Sequence, residues 1–312
     1  MHQPHEPRPI STRALLSVLL LGCLSLAARA QAAPKVVVSI APLDSLVAAV
    51  MEGVGRPDLL VPPGASHHTY TLRPSDMRSL YDADLIIWIG RPLERFLIRP
   101  LAALDQTTAR MAVTQMPGIK LLPVRQGGVW SSMDNTRATQ AIDPHLWLGP
   151  NNASVIVRQV AASLASVDAA NAKRYRSNAN RTLRRLRALD TALKRKLEPI
   201  KHVPYVVFHD AYHYFERRYG LHAVGAITID PDLSPGARRI LQIRELIAAQ
   251  HVRCVFREPP FEPALVQTVL ENSNARRGVL DPIGTDIPPG PDGYFKLMNR
   301  LADSLVKCLD QR

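Results

Sequence analysis

The sequence predicts an α/β fold in which two series of βα units lie on either side of one long helix. Short apolar segments that are typical of buried strands alternate with amphipathic segments in both halves of the chain. Between the halves, residues 168–197 contain neither proline nor glycine. A chain of 312 residues is also longer than one hydrophobic core usually requires, which favours two domains.

The first series of βα units begins at residue 35. Apolar, β-branched runs predict strands at 35–40, 59–61 and 85–89, and apolar periodicity predicts helices at 43–52, 74–83 and 93–104. Strands that alternate with helices in this way are typical of a parallel sheet, because each helix carries the chain back to the start of the next strand.

The middle of the chain has a different character. Residues 121–142 show no periodicity and contain two consecutive glycines, so they predict a surface loop, and 152–166 predict a helix. Residues 168–197 predict a long helix of about 45 Å that ends before Pro199 and connects the two series. Its apolar positions, separated by many arginines and lysines, are Tyr175, Leu183, Leu186, Leu189 and Leu193.

The second series of βα units follows this connector. Apolar runs predict strands at 205–208, 223–227, 252–256 and 278–280, and helices are expected at 211–219, 234–250, 263–272 and 292–309. Ligands of open α/β sheets bind beyond the carboxyl ends of the strands. A functional site is therefore expected where the two sheets present these ends.

The first 33 residues have the composition of an export signal. Arg8 and Arg13 precede an apolar stretch at 14–28, and small residues follow at cleavage spacing. The segment around Cys23 also resembles a lipoprotein processing site, but the residues after it stay apolar, which favours ordinary cleavage. No apolar run long enough to span a membrane follows residue 33.

Charge and cysteine content narrow the function classes further. A formal net charge of +12 is compatible with binding to anionic lipid or nucleic acid, yet no aromatic interleaving or recognition helix accompanies it, which favours a solvated basic surface.

Cys254 and Cys308 are the two cysteines beyond the export signal. An even pair in an oxidising compartment predicts a disulfide, the alternative being two separate buried thiols.

Four short motifs contain residues suited to a metal ion. They are PGASHHTY (63–70), DPHLW (143–147), VFHDAY (207–212) and LDPIGT (280–285). They offer the imidazoles of His68, His145 and His209 and the carboxylate of Asp281. Three nitrogen ligands and one oxygen ligand suit Zn²⁺. Because the motifs are far apart in the chain, the predicted site forms only in the folded protein.

Other polar residues lie near these motifs. His213 lies one helical turn beyond His209 but is expected to be a surface or packing residue. Asp143 and Asp210, adjacent to the motif histidines, are candidates to orient the imidazoles. Glu258 is a candidate general acid or base if the metal site belongs to a hydrolase.

The four motifs together resemble the periplasmic solute-binding proteins of zinc ABC transporters, a branch of a metal-receptor family that also contains manganese receptors. The resemblance covers residues 35–312. It implies two (β/α)₄ lobes joined by one long rigid helix, with the metal site in the cleft between them. It also implies ligation by His68, His145, His209 and Asp281, and a disulfide between Cys254 and Cys308.

Three details of the resemblance bear on selectivity and uptake. The manganese branch has glutamate where this chain has His209, which favours zinc. Residues 121–142 contain no histidine, so the metal-capturing, histidine-rich loop of many zinc receptors is not expected here. His67 replaces the usual proline before the first ligand, and its side chain is expected to face outward.

The resemblance implies a non-enzymatic carrier that captures Zn²⁺ in the periplasm and delivers it to an inner-membrane permease. We expect a monomer with no nucleic-acid partner, divided into an export signal (1–33), an N-terminal lobe (34–165), a connecting helix (166–199) and a C-terminal lobe (200–312). The alternatives are a manganese receptor or adhesin of the same family, and a zinc-dependent hydrolase.

Overall fold

The computed structural model describes residues 32–125, 129–130, 141–228, 231, 234–259, 261 and 263–310. Nearly all of the expected export signal, including Cys23, and most of the expected loop 121–142 lie outside the described residues. Among the helices of the described ranges, none is long and apolar enough to cross a membrane.

The N-terminal lobe is built on a four-stranded parallel sheet. The strands are β1 (Val36–Val38), β2 (Asp58–Leu59), β3 (Leu85–Trp88) and β4 (Ala109–Ala112), and the helices are α1 (Ala41–Met51), α2 (Pro74–Tyr81) and α3 (Ile98–Ala103). The strand order is β2-β1-β3-β4, with every pairing parallel. Strand β4 was not predicted, because Arg110 interrupts its apolar run and only one side of this edge strand is covered.

Two consecutive helices follow the N-terminal sheet. They are α4 (Pro150–Val167) and α5 (Ala172–Leu197), the long connecting helix. The sequence predicts that α5 begins at residue 168. In the structure, Asp168 caps a short 3-10 turn that precedes the helix. Its carboxylate accepts hydrogen bonds from the side chains of Asn171 at 2.8 Å and Tyr175 at 2.7 Å. The helix therefore begins after this turn.

The C-terminal lobe repeats the same architecture. Its strands are β5 (Tyr205–His209), β6 (Ala223–Thr228), β7 (Cys254–Arg257) and β8 (Arg276–Val279). Its helices are α6 (His213–Tyr219), α7 (Ala237–Ala249), α8 (Pro263–Leu270) and α9 (Gly293–Leu309). The strand order is β6-β5-β7-β8, again all parallel. The predicted fold class, two parallel α/β lobes joined by a long helix, is confirmed.

Helix α5 contacts both lobes along its length. Four of its five predicted apolar positions are buried, and Leu183 is partly buried. Near its start, the Asn178 amide donates to the carbonyl oxygens of Val50 and Glu52 at the end of α1. Nearer its end, Asp190 accepts hydrogen bonds from Arg218 and from the Tyr219 hydroxyl of the C-terminal lobe. The connector is thus fastened to each lobe by buried packing and by polar contacts.

The predicted disulfide is present. Cys254, the first residue of β7, is bonded to Cys308 on α9, and the bond closes a loop with a sequence separation of 54. It fixes the last helix of the chain against the C-terminal sheet.

Removal of this disulfide should lower the free energy of unfolding by about 4 kcal/mol, because the unfolded chain regains the entropy of an open loop of this length. The variant is Cys254→Ser with Cys308→Ser, measured by urea unfolding. Wild-type protein unfolded with a reductant present is the matched control and should show the same loss. A near-zero loss in both experiments would contradict the prediction.

Candidate metal centre

Strand pairing places His209 beside a buried carboxylate. His209 is the last residue of β5, and Glu258 directly follows β7. The parallel register aligns Tyr205 with Cys254, so the same offset brings His209 opposite Glu258 at the carboxyl end of the sheet. The Nδ1 atom of His209 lies 2.6 Å from Glu258 Oε2.

A second imidazole is held in the same manner from the N-terminal lobe. His145 precedes the 3-10 turn Leu146–Leu148 that leads into α4. Asp143 Oδ1 accepts a hydrogen bond from the backbone N–H of His145 at 3.0 Å and lies 2.8 Å from its Nδ1. The prediction that Asp143 orients an imidazole is confirmed.

The two imidazoles face each other through their other nitrogens. His145 Nε2 and His209 Nε2 are 3.2 Å apart, and both side chains are almost completely buried. With each Nδ1–H donated to a carboxylate, each Nε2 carries a bare lone pair, and two lone pairs at this distance repel. A cation between them converts the repulsion into coordination, and nitrogen ligands of a tetrahedral zinc ion are about 3.3 Å apart.

His68 completes a group of three imidazoles. Its ring centroid is 5.7 Å from that of His145 and 5.8 Å from that of His209. It lies in the turn-rich segment that follows β2, on the N-terminal side of the site. The structure therefore brings together the three histidines that the motifs single out.

His67 does not face outward, so this expectation was wrong. Its side chain is 6% exposed, and its ring centroid lies 4.4 Å from that of His68. Ligand atoms of His67, His68 and His145 all lie within 4.8 Å of one another. The segment around His67 is a succession of turns, and successive side chains there do not alternate between two faces as they do along a strand.

Asp281 lies just beyond β8. Burial raises the pKa values of Glu258 and Tyr212, and the nearby charge of Asp281 raises them further. The Asp281 carboxylate accepts hydrogen bonds from the backbone N–H groups of Ile283, Gly284 and Thr285, at 3.0, 2.8 and 2.6 Å. These bonds close the turn that contains the fourth motif. Ligation by Asp281 stays a prediction.

Asp210 does not orient an imidazole, contrary to expectation. Both of its carboxylate oxygens accept hydrogen bonds from the guanidinium of Arg125, with Nε 3.0 Å from each. The same guanidinium reaches Glu216 Oε2 at 2.8 Å, and its carbon lies 3.5 Å from the centroid of the Trp130 ring. This buried ion cluster fastens the segment before residue 126 to the start of α6.

Glu258, a candidate general acid or base only for the hydrolase alternative, has a different role in the structure. It binds His209 rather than acting as a free acid or base, and the Tyr212 hydroxyl also donates to it at 3.3 Å. The register of β5 and β7 was the signal for this contact. His213, expected to be a surface or packing residue, is buried at the start of α6, with Nδ1 3.8 Å from Asp143 Oδ2.

Burial also controls the charge of the imidazoles. Removal from water lowers the pKa values of His67 and His145 well below the usual value, and the neighbouring histidines lower them further. Both rings are therefore neutral near pH 7, which is the form that binds a metal ion.

Comparison with known proteins identifies the family. The family model described as zinc-uptake complex component A, periplasmic (ZnuA), matches residues 36–308. The chain belongs to this family. A high-affinity zinc uptake system protein ZnuA from Brucella suis is 39% identical over 306 residues, covering 88% of this chain and 92% of the relative.

A second relative supports this assignment, and a solved structure shows the same fold. The ZnuA protein of Yersinia pestis is 33% identical over 321 residues, which cover 98% of this chain and 99% of that protein. A crystal structure of a zinc-bound ZnuA deletion mutant superposes with a TM-score of 0.76 at 24% identity, covering 90% of this chain and 99% of the other. The resemblance drawn from the four motifs is confirmed, and the hydrolase alternative is removed because this family is a component of an uptake complex.

Loss of the carboxylate behind His209 should weaken metal binding without removing a ligand. We expect Glu258→Gln to lower zinc affinity by about 10- to 100-fold, because the neutral amide holds the imidazole less firmly and makes Nε2 less basic. Competition with a zinc chelator measures the change. Glu52→Gln alters an exposed ion pair with Arg181 and serves as the control. Equal affinities of the two variants would contradict the orienting role.

Removal of Arg125 should destabilise the fold strongly. We expect Arg125→Met to lower the free energy of unfolding by about 3–5 kcal/mol, because Asp210 and Glu216 stay buried without their cation. Burial already raises the pKa of Glu216, and loss of the opposing charge raises it further. The folded state then binds more protons than the unfolded state, so the deficit shrinks as the pH falls.

Urea unfolding at about pH 8 and about pH 5 tests this pH dependence. Arg185→Met removes an exposed ion pair with Asp292 and should cost less than about 1 kcal/mol at both values. A deficit of Arg125→Met that is equal at both pH values would contradict the assignment of two uncompensated carboxylates.

Proposed function

We propose that this chain captures Zn²⁺ in the periplasm and delivers it to the permease of a zinc ABC transporter. The observation that carries the proposal is the pair of opposed imidazoles, His145 and His209, each with its Nδ1 on a buried carboxylate. Membership of the zinc-uptake family and the names of the relatives from Brucella and Yersinia support the same cargo.

The proposed ligands are His68, His145 and His209, with Asp281 as the carboxylate expected from the fourth motif. Nitrogen-rich shells suit zinc, whereas manganese prefers oxygen ligands. His209 occupies the position at which an oxygen ligand would favour manganese. The manganese receptor of the same family is therefore the weaker candidate.

Release of the ion should require only small movements of the lobes. Helix α5 is hydrogen-bonded to α1 through Asn178 and to α6 through Asp190, so a wide hinge rotation would break hydrogen bonds at one end or the other. We propose that the permease displaces the segment that contains His67 and His68 instead. We further propose that the exported chain acts as a monomer with the domain limits expected from the sequence.

Metal titration of residues 33–312 tests the function directly. We expect one Zn²⁺ to bind with nanomolar or tighter affinity in competition with a chelator, and excess Mn²⁺ not to displace it. Trp147 is the fluorescence reporter, because its ring centroid is 5.3 Å from that of His145. His145→Ala and His209→Ala should each abolish tight binding, because each removes a ligand.

The exposed His202 provides the matched control, and His202→Ala should bind zinc as the wild type does. Tight binding that survives both His145→Ala and His209→Ala would remove the proposed site. Preferential binding of Mn²⁺ would move the chain to the manganese branch.

A further inference from the structure

A fourth imidazole faces the proposed zinc site. His67 Nε2 is buried and has no hydrogen-bond partner within the described part of the chain. A buried polar atom without a partner costs about 1–3 kcal/mol. A histidine that served only for packing would avoid this cost by turning a nitrogen towards a carbonyl oxygen or towards solvent. With the proton of the neutral ring on Nδ1, Nε2 of His67 offers a buried lone pair, which a metal ion would bind.

The distances around His67 suit a shared metal ion. Ring centroids of imidazoles on one tetrahedral zinc ion are about 5 Å apart, as follows from the usual zinc–nitrogen distance. The ring centroid of His67 lies 4.4 Å from that of His68 and 6.4 Å from that of His145. The ring centroids of His145 and His209 are 5.1 Å apart. The ligand atoms of His67, His68 and His145 fall within 4.8 Å of one another, so small side-chain rotations bring them into one shell.

Asp281, the competing fourth ligand, is already engaged by its own turn. A carboxylate has about four acceptor positions, and backbone N–H groups of residues 283–285 occupy three of those of Asp281. Rotation of this carboxylate towards a metal ion would break bonds that close the turn. Among the described residues, Nε2 of His67 has no hydrogen bond that metal binding would break.

We propose that His67 is a zinc ligand in this chain, so that the ion is held by His67, His68, His145 and His209 rather than by three imidazoles and Asp281. This inference rests on the proposed function and assigns the fourth position of the same site. A shell of four neutral imidazoles leaves the charge of the ion to be balanced by Asp143 and Glu258 behind the ligands. It also strengthens the preference for zinc over manganese.

Nuclear magnetic resonance of ¹⁵N-histidine-labelled protein tests the proposal residue by residue. Long-range ¹H–¹⁵N spectra report whether each ring nitrogen is protonated, bare or metal-bound. The spectra are recorded for residues 33–312 with and without one equivalent of Zn²⁺. His67→Gln assigns the His67 signals, and Asp281→Asn is the matched variant that removes the competing ligand. Zinc affinity is measured for both variants by chelator competition.

We expect zinc to move one ring nitrogen of each of four histidines to the metal-bound position, including Nε2 of His67. His67→Gln should leave three such signals. It should also weaken zinc binding more than the loss of an orienting partner does, which typically lowers metal affinity by about 10- to 100-fold. Asp281→Asn should leave all four signals and change affinity less than His67→Gln does.

Unchanged His67 signals, with three other histidines metal-bound, would overturn the inference and leave the proposed function intact. If zinc shifted no histidine signals, the proposed function itself would fail. Should His67→Gln not fold, the number of metal-bound histidines in the wild type, four or three, decides the question alone.

Discussion

The opposed pair of buried imidazoles is the constraint around which the rest of this molecule is arranged. His145 and His209 come from different lobes, and each is aimed by a carboxylate on its own lobe. Their Nε2 atoms are 3.2 Å apart, and two unprotonated nitrogens at this distance repel. A metal ion bound as proposed would remove that repulsion and would link the two lobes through these side chains. In the proposed site, metal binding and contact between the lobes are therefore coupled.

Parallel topology makes such a site possible. The carboxyl ends of β5 and β7 are adjacent, and a constant register extends that adjacency beyond the last paired positions, Val206 and Val255, to His209 and Glu258. The next pairing, between β7 and β8, brings Asp281 to the same edge. A parallel sheet thus collects polar residues from distant parts of the sequence without a long loop. Helix α5 keeps the two sheets at the separation that lets His145 and His209 meet.

How much of this was predictable from sequence depends on the kind of contact. Periodicity located the connector and every described strand except β4, and short motifs singled out three histidines, because these features depend on local pattern. Asp210 was wrongly expected to support His209, since successive side chains at a strand end point to opposite sides, and Asp210 turns towards Arg125. Glu258 was missed in its true role because its contact depends on strand register, which appears only after the sheet is assembled. His67 was misplaced because turns do not follow the alternation of a strand.

Charge balance gives a further reason for a divalent cargo. Burial raises the pKa values of Asp143 and Glu258, so two ionised carboxylates are costly here without a positive charge nearby. An ion with two positive charges, held by neutral imidazoles, offsets two carboxylates without leaving net charge in the interior. A monovalent ion leaves one carboxylate uncompensated. Arg125 does not neutralise these two carboxylates, because it forms ion pairs with Asp210 and Glu216. The charge of the site therefore favours a divalent ion, and the imidazoles then favour zinc among the divalent ions.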